Sequence, residues 1–559
     1  MDRLTENSLT DPPGAPAPTG LPAEIDVLVA GYGPVGAAIA NLLGRYGVRV
    51  LAVDKAKDVF MAPRAIALDN EALRILQLAG LEDGDFEKVA IPYVRMLSPH
   101  LGEFGRINTL GHIGGHPKLV TFYQPELEAA LRRRAARYDG VQIALGVALT
   151  GFEENADGVV ATLDAGDGAT YAVRARYLVG ADGAGSLVRQ LIGQEFTGRT
   201  YAEDWLVVDA FGAKNPIDHV EFLCDHRRPT PHMTAPGGRE RWEFMLRPGE
   251  TRAEMESDAR VSKLLAPWGG PSAMTIERKA VYRFHARTAD VFRKGRVFLA
   301  GDAAHITPPF VGQGLVAGLR DAANLSWKLA WVLQGRASPE ILHSYDEERR
   351  PHAKAMIDLA KFMGRLIMPQ SAVMALITHG TLRLMRLTAA MRRYFDDLGI
   401  KPKNVFPRGL FVSGRSGSKL TRGGPLPQGW VRGPDGVVRL SDEAPGPSLT
   451  LIGFGRDPRE ALDAAMARAF SACGGKVVLI AHRGQARHLR REESWEDLDG
   501  TFMPTAAAFD WVAVVRPDRT VLHDGPVAEV ERIVSESLAL LGTPACAEAP
   551  VNAVPALAL

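Results

Sequence analysis

Three acidic residues in this chain stand beside glycine-rich turns at spacings suited to a nucleotide. Gly31-Tyr-Gly33-Pro34-Val35-Gly36 is followed, 18 positions after Gly36, by Asp54, with Lys55 beside it. Asp182 precedes Gly183, and Asp302 follows Gly301, ahead of Pro308, Pro309 and the run Gly312-Gln313-Gly314-Leu315. In a GxGxxG turn the first glycine allows the tight bend, the second lets backbone approach a pyrophosphate, and the third lets helix and strand pack closely. The phosphates then settle on free N–H groups at the helix start. A carboxylate at the end of the next strand accepts hydrogen bonds from ribose hydroxyls.

The surrounding elements are the ones such turns need. Residues 25–30 are a continuous apolar run, read as a buried parallel strand. A helix over 37–46 follows, closed by Gly47, and then a strand over 48–53 that delivers Asp54. Residues 176–180 are another strand, feeding Asp182-Gly183 and a helix that begins near Ser186 and Arg189. Taken alone, Asp182 is equally well read as the cap of that helix. Residues 297–300 are a third strand, and an amphipathic helix runs from about Val316 to Val332. Trp327 and Trp331 within it are expected in the core. Two further residues carry open readings. Arg64 is either a solvated loop arginine or a cation near phosphates and ribose. Gln124, before a helix over 127–138, is either a polar cap or a ligand contact.

The rest of the chain supplies a wall and an appendage. Residues 94–120 look β-rich, and 141–164 alternate as strands. Between 200 and 280, alternating segments separated by Gly/Pro turns predict an antiparallel sheet, which would wall a substrate cavity. Helices continue to about 398, and 401–447 reads as a linker rich in Gly, Pro, Ser and Arg. Beyond it, strands at 449–452, 476–480, 509–515 and 520–522, with helices at 458–471 and 527–541, have the order of a thioredoxin-like domain. It has no CxxC, so its expected role is structural or in oligomerisation, and a homodimer is compatible with it. The predicted division is a disordered tail (1–22), a first nucleotide-binding segment (23–195), the sheet domain (196–285), a second nucleotide-binding segment with helices (286–400), the linker (401–447) and the terminal domain (448–545).

Composition narrows the function classes. The 559 residues carry 66 Lys+Arg against 65 Asp+Glu, a net charge of +1, which gives no reason to expect nucleic acid or an anionic membrane as partner. The tail shows no signal-peptide pattern and no apolar run reaches the roughly 18 residues of a membrane span. Cys224, Cys473 and Cys546 are far apart, so neither a disulfide framework nor a zinc site is expected, and the cytoplasm is the expected compartment.

Together, the three motifs, in order over residues 24 to 400, resemble the class A flavoprotein aromatic hydroxylases, the group that includes p-hydroxybenzoate and phenol hydroxylases. The resemblance implies an α/β fold: a Rossmann-like FAD-binding domain, an inserted antiparallel-sheet substrate domain of the p-hydroxybenzoate hydroxylase type, and a C-terminal thioredoxin-like domain. It places FAD on Gly31, Gly33, Pro34, Val35, Gly36, Asp54, Lys55, Arg64, Gln124, Asp182, Gly301, Asp302, Gly312, Gln313, Gly314 and Leu315. Val316 stands where many relatives have Asn, so a side-chain contact to the flavin is not expected there. Pro63 to Ile66, Glu71 to Arg74, Trp242 to Met245 with Pro248 to Thr251, and Glu348 to Leu359 further resemble the 3-(3-hydroxyphenyl)propionate and 3-hydroxycinnamate hydroxylases. That implies a phenolic acid hydroxylated ortho to its hydroxyl with O2, and reduced nicotinamide (NADH ahead of NADPH) as reductant. Pro309, Tyr282 and His232 are the candidate substrate contacts; His226 and His285 are further candidates in the sheet domain. Arg227, Arg228, Arg241 and Arg283 compete as partners for a substrate carboxylate. No residue is singled out for activating the phenol. Other oxygenase substrates, such as a polyketide or quinone phenol, share the FAD motifs, whereas the WxWxIP run expected of a flavin halogenase is absent.

Overall fold

The computed structural model describes residues 20–542, apart from 60, 62–63, 167, 271–273, 397–398 and 486–493. Most of the expected tail, Pro63 and Cys546 therefore lie outside the described residues.

In the first sheet, parallel strands Val141–Leu145, Val50–Asp54, Glu24–Ala30, Thr170–Gly180 and Val297–Leu299 lie side by side in that order. Val27, Leu28 and Val29 are fully buried, since helices and further chain cover both faces of such a sheet. The register fixes what happens at the edge. Ala30 pairs with Val53 and with Gly180, and Gly180 pairs with Leu299. The chain segments carrying Gly31, Asp54, Asp182 and Gly301-Asp302 thus all leave the carboxyl edge of the same sheet, where open α/β folds bind ligands. Helix Pro34–Arg45 packs between helices Gln124–Ala135 and Gly314–Leu333. Trp327 and Trp331 are fully buried and stand edge to face, 5.9 Å between ring centroids, and Trp331 Nε1 donates to the Cys473 carbonyl at 3.0 Å.

A second sheet runs in the order His305–Ile306, Thr275–Ala289, Phe196–Phe211, Arg239–Met245, Thr230–Ala235, Val220–Leu223, Tyr93–Ser98 and Gly102–Asn108. Its central strands are antiparallel, as the alternation predicts. The hairpin Tyr93–Ser98 and Gly102–Asn108, far away in sequence, joins it through a parallel pairing of Val94 with Val220. One face of this sheet is closed by Trp242, Phe244, Met255, Val261 and Leu265; the other faces the first domain.

The C-terminal sheet differs from expectation at its start. Trp430–Arg432 and Val438–Leu440 form a hairpin that pairs with Ser494–Asp497, so this part of the expected linker belongs to the terminal fold. Three-residue strands are too short to show a period, and their Gly/Pro surroundings read as loop. The first helix of the unit starts at Ala464 rather than 458, because the Asp463 carboxylate caps it by accepting from Ala465 N and Met466 N, both at 2.7 Å. Cys224 is a buried free thiol and Cys473 is disulfide-bonded.

The terminal unit is fixed to the rest by a buried charge cluster. Glu348 accepts from Arg516 at 2.7 and 3.0 Å, Lys328 at 2.8 Å, Asn324 at 2.6 Å and the Leu410 N–H at 2.7 Å. The side chains of Glu348, Lys328 and Arg516 are fully shielded from solvent. Arg74 adds a bidentate bond to Asp442 at 2.6 and 2.8 Å. Among the described residues no helix is long and apolar enough to cross a membrane.

Candidate active site

One cavity of about 1170 Å³ runs from the carboxyl edge of the parallel sheet to the open face of the second sheet. Its first end is made mostly of backbone. A Cβ on Gly31 would sit 2.3 Å from the Ala181 carbonyl, and one on Gly36 would sit 2.0 Å from the Gly31 carbonyl. Only glycine permits those approaches, which draw the turn, the helix and the neighbouring strand together. Gly33 instead has nothing within 4 Å on its Cβ side and lines the cavity, leaving its backbone open to a ligand. Pro34, Val35 and Lys55 also line this end.

The acids stand where the motifs put them, and each is only partly used. Asp54 accepts from Tyr32 N at 2.7 Å and from Ala56 N at 2.8 Å, one bond per oxygen, and keeps lone pairs towards the cavity. Asp182 serves the helix with one oxygen and leaves the other unused. Its Oδ2 accepts from Val188 N at 3.1 Å in the first turn of helix Leu187–Leu191, while its buried Oδ1 has no partner. Ser186 is the formal cap, accepting from Arg189 N at 3.0 Å. Arg189 ties the two turns together by donating to the Ala303 and Ala184 carbonyls, both at 3.0 Å. Asp302 lines the cavity without a hydrogen bond among the described residues; burial raises its carboxyl above the ordinary range, against the pull of Arg64 and His305.

Arg64 is exposed and lines the cavity, near enough to Asp302 to act on its charge. Gln124 holds this loop: its Oε1 accepts from Arg64 N at 3.0 Å and Ala65 N at 2.9 Å, while its Nε2 has no acceptor among the described residues. Gln313 is committed at both ends of its amide, to Asp69 at 3.1 Å and from Arg320 at 3.1 Å, and Asp69 is further bound by Lys401 at 2.7 Å. Position 313 therefore meets a ligand through backbone. Helix Gly314–Leu333 starts without a side-chain cap, so the N–H groups of its first turn are available where Gly314 and Leu315 line the cavity. Val316 is fully buried and does not line it.

Sequence reasoning missed the support behind the Gly301-Asp302 turn. Asp321 Oδ2 accepts from Gly301 N at 3.0 Å and from His305 Nε2 at 2.7 Å, and Oδ1 from Arg349 at 2.9 Å. Burial opposes the Asp321 charge, but these cationic and N–H partners outweigh it and hold the carboxyl below its usual range. Glu128 and Arg132, paired at 2.7 Å, also face the cofactor end unannounced. The one signal was the run of polar and charged residues on an otherwise apolar helix, Arg320, Asp321, Asn324 and Lys328.

An unpartnered buried Oδ1 on Asp182, a carboxyl at Asp302 with no protein donor, an open backbone at Gly33 and an uncapped helix start form a set of acceptors and donors along one path. Those donors and acceptors fit FAD, which the first turn, the acids and the open helix start would hold.

The second end is largely apolar. Val207, Met233 and Phe222 come from the sheet, Met96 from the hairpin, and Met356 and Met363 from helix Ser344–Ile367. Pro309 lines it within the short turn Pro309–Val311, and Phe310 stands edge-on to Trp205 at 5.9 Å. Tyr282 lines it too, its hydroxyl accepting from Arg278 Nη1 at 2.9 Å. His285 is in the wall, bonded to Thr200 Oγ1 at 3.2 Å.

His232 does not belong there. Successive strand residues face opposite sides, and pairing of Met233 with Arg241 and His232 with Trp242 turns His232 to the covered face. It is 1% exposed, stacks on Trp242 at 4.6 Å, and bridges Glu221 at 3.2 Å and Glu240 at 3.1 Å. Burial works against its charge, but the two carboxylates outweigh burial and raise its pKa. His226 lies against Asp225, away from the cavity wall. Among the four arginines, Arg227 and Arg228 are tied to Asp225 and Glu250 outside the cavity, while Arg283 and Arg241 line it. Arg241 is held by Asp209 at 2.6 and 3.1 Å and donates to the Arg64 carbonyl at 3.0 Å.

Comparison with known proteins agrees with this arrangement. Residues 24–360 match the model of the FAD binding domain, and residues 423–540 match the HcaD C-terminal domain. The chain is 36% identical over 512 residues to a 3-(3-hydroxy-phenyl)propionate/3-hydroxycinnamic acid hydroxylase 2 of Burkholderia vietnamiensis, covering 89% of this chain and 92% of that one. It is 31% identical over 579 residues to a hydroxylase named for the same two acids in Comamonas testosteroni, covering 93% and 98%. Among solved structures, the flavin-dependent monooxygenase PieE, in complex with FAD and substrate, superposes with a TM-score of 0.77 at 22% identity, covering 92% of this chain and 99% of that one. Aklavinone-11 hydroxylase with FAD and aklavinone gives 0.71 at 23% identity, with 92% and 99% covered.

Proposed function

The chain belongs to the family of FAD-dependent aromatic-ring hydroxylases, and from that premise we propose that it hydroxylates 3-(3-hydroxyphenyl)propionate, and 3-hydroxycinnamate, at the carbon ortho to the phenol. The product is the 2,3-dihydroxy acid, and the reductant is NADH rather than NADPH. The observation that carries the reading is one continuous cavity joining a FAD-shaped backbone cradle to an apolar chamber. Catabolism of aromatic compounds in the cytoplasm, where reduced nicotinamide is supplied, is the setting this chemistry fits.

Bound FAD supplies what side chains lack, accepting hydride from the nicotinamide and handing one oxygen atom of O2 to the ring. The protein's own work is to place and to shield. Asp182, Asp302 and the first turn of helix Gly314–Leu333 hold and orient the cofactor. Met96, Phe222, Met356 and Met363 close the ring site against water, which keeps reducing power from being lost to hydrogen peroxide. Pro309 and Tyr282 border the space for the ring. Arg241 and Arg283 are the cavity-lining arginines of the substrate sheet, and the carboxylate of the acid is expected at that side.

The test is NADH and O2 consumption by the FAD-loaded protein over a panel of phenolic acids, with product identification by mass. Rapid turnover with 3-(3-hydroxyphenyl)propionate and a product heavier by one oxygen is expected. Stimulation only by a polycyclic phenol would overturn the substrate assignment, and an equal response to NADPH would overturn the choice of reductant.

A further inference from the structure

Deepening the proposed function, and resting on it, is a carboxylate that none of the three motifs contains. On strand Arg239–Met245, Trp242 and Phe244 pack into the covered face, so Arg241, Glu243 and Met245 share the other face. Cross-strand pairing puts Arg241 beside Asp209, Glu243 beside Val207, and Met245 beside Trp205. The two ends of this row are marked independently. Arg241 donates to the Arg64 carbonyl, and Arg64 acts on Asp302, so this end adjoins the cofactor path. Trp205 meets the Phe310 ring beside Pro309, so the other end adjoins the proline turn. Glu243 lies between them, one two-residue step of about 7 Å from each neighbour, and lines the cavity.

Glu243 is 8% exposed and accepts no hydrogen bond from any described residue. Asp209, on the adjacent strand, is bonded to both Arg241 and Arg278. A buried carboxyl with no donor is costly to keep unless a ligand brings the donor. Of the walls opposite, the hairpin presents Val94, Met96 and Ile107, and helix Ser344–Ile367 presents Met356, Leu359 and Met363; Thr109, Lys118, Arg252 and Thr307 also line the cavity, and none of them is hydrogen-bonded to Glu243. Along the sheet itself the facing charged and titratable groups are Arg241, Asp209, Arg278 and Tyr282, with Arg283 and His285 further along.

We propose that Glu243 accepts the hydrogen bond of the substrate's phenolic hydroxyl and takes its proton as the ring is oxygenated. The O–H bond breaks towards the carboxylate, and the oxygen lone pair moves into the ring. The ortho carbon forms its C–O bond to one atom of O2, then loses its hydrogen as a proton when aromaticity returns. The second oxygen atom leaves as water, on the two electrons of the nicotinamide and protons from solvent, and Glu243 returns its proton to the phenolic oxygen, which completes the catechol and restores the carboxylate. Burial raises the Glu243 carboxyl above its usual range, with Arg241 and Arg278 opposing and Asp209 reinforcing; that moves its proton affinity towards that of a phenol.

The experiment uses FAD-loaded wild type, Glu243→Gln and Glu243→Asp, with 3-(3-hydroxyphenyl)propionate and 3-phenylpropionate as probes. Binding is read from the change in flavin absorbance, and turnover from product formation across pH. Wild type is expected to bind the hydroxylated acid about tenfold tighter than the unhydroxylated one, and Glu243→Gln, whose amide oxygen accepts without charge, to lose most of that preference. In Glu243→Gln, kcat should fall about 100-fold or more and the acidic limb of the pH profile should vanish; Glu243→Asp should keep the limb with part of the rate. Retention of the hydroxyl preference by Glu243→Gln, or a kcat within about threefold of wild type, would overturn the assignment. Flavin content and Tm identify a variant that fails to fold, and that too would count against it, since removing an unpaired buried charge should not destabilise. If wild type turns over no phenolic acid, the proposed function falls, while the binding preference still reports on Glu243 separately.

Discussion

The two ends of the cavity recognise their ligands by opposite means. At the cofactor end the contacts are backbone: open N–H groups, glycines at which a Cβ would collide, and carboxylates half-occupied by the chain's own amides. At the substrate end the surface is one face of a sheet, which presents side chains at alternate positions, Arg241 and Glu243 on one strand and Tyr282 on another. A backbone site forbids atoms, so it writes glycine into the sequence at fixed intervals. A side-chain site only chooses among residues, and it writes no more than a parity. The first kind of site should be intolerant of any added atom; the second should tolerate isosteres structurally while losing function.

The harshest way to test this contrast is Gly36→Ala. Its Cβ would stand 2.0 Å from the Gly31 carbonyl, so the variant should lose more than about 3 kcal/mol of stability and purify without flavin. A normal flavin spectrum and Tm would break the comparison. His232→Leu should cost less, about 2 kcal/mol, because Glu221 keeps Arg95 and Glu240 keeps the Ile217 N–H but both lose the imidazole between them, yet keep FAD and substrate affinity because it lies on the covered face. Its pH signature has a definite sign. The folded pKa of His232 lies above the ordinary value, so its extra stability is fully present below about pH 6.5 and fades as pH rises through the raised pKa. Thermal melts across that window should slope downward in wild type more steeply than in the variant. Asp182→Asn is a middle case, removing charge but not volume. FAD affinity should drop about tenfold, measured by flavin fluorescence on titration, with the fold intact. The mildest change is the stability of Glu243→Gln. A carboxyl with a raised folded pKa loses stability as pH rises from its ordinary value to the raised one, so at neutral pH the variant should melt higher, by about 2 °C. An unchanged or lower Tm would mean the carboxyl has a protein partner after all.

The same contrast explains what could be read in advance. The glycine turns and Asp54, Asp182 and Asp302 were legible because each follows an apolar strand, and all of them do lie in one sheet edge or cavity wall. Arg64 and Gln124 could be named but not assigned, since only the fold brings the 64–65 backbone under the Gln124 amide. In the substrate sheet the alternation of Arg241-Trp242-Glu243-Phe244 was visible, but not which parity faced the cavity. His232 was chosen by residue type and lies on the covered face, while Glu243, inside the run Trp242 to Met245, and Asp209 were given no role. Asp321 and Arg349 escaped because their partners lie far away in sequence. The hairpin at 430–440 was hidden by its brevity.

The buried cluster around Glu348 bears on how such chains are recombined. Glu348 and Lys328 sit in the main body, and the arginine that completes them, Arg516, arrives with the terminal unit. A chimera that grafts a foreign C-terminal segment onto this body inherits two of the three charges and must bring the third in register. The terminal unit is therefore less an interchangeable cassette than a key cut for one lock, and lineages that trade such segments would have to trade Glu348 and Arg516 as a pair.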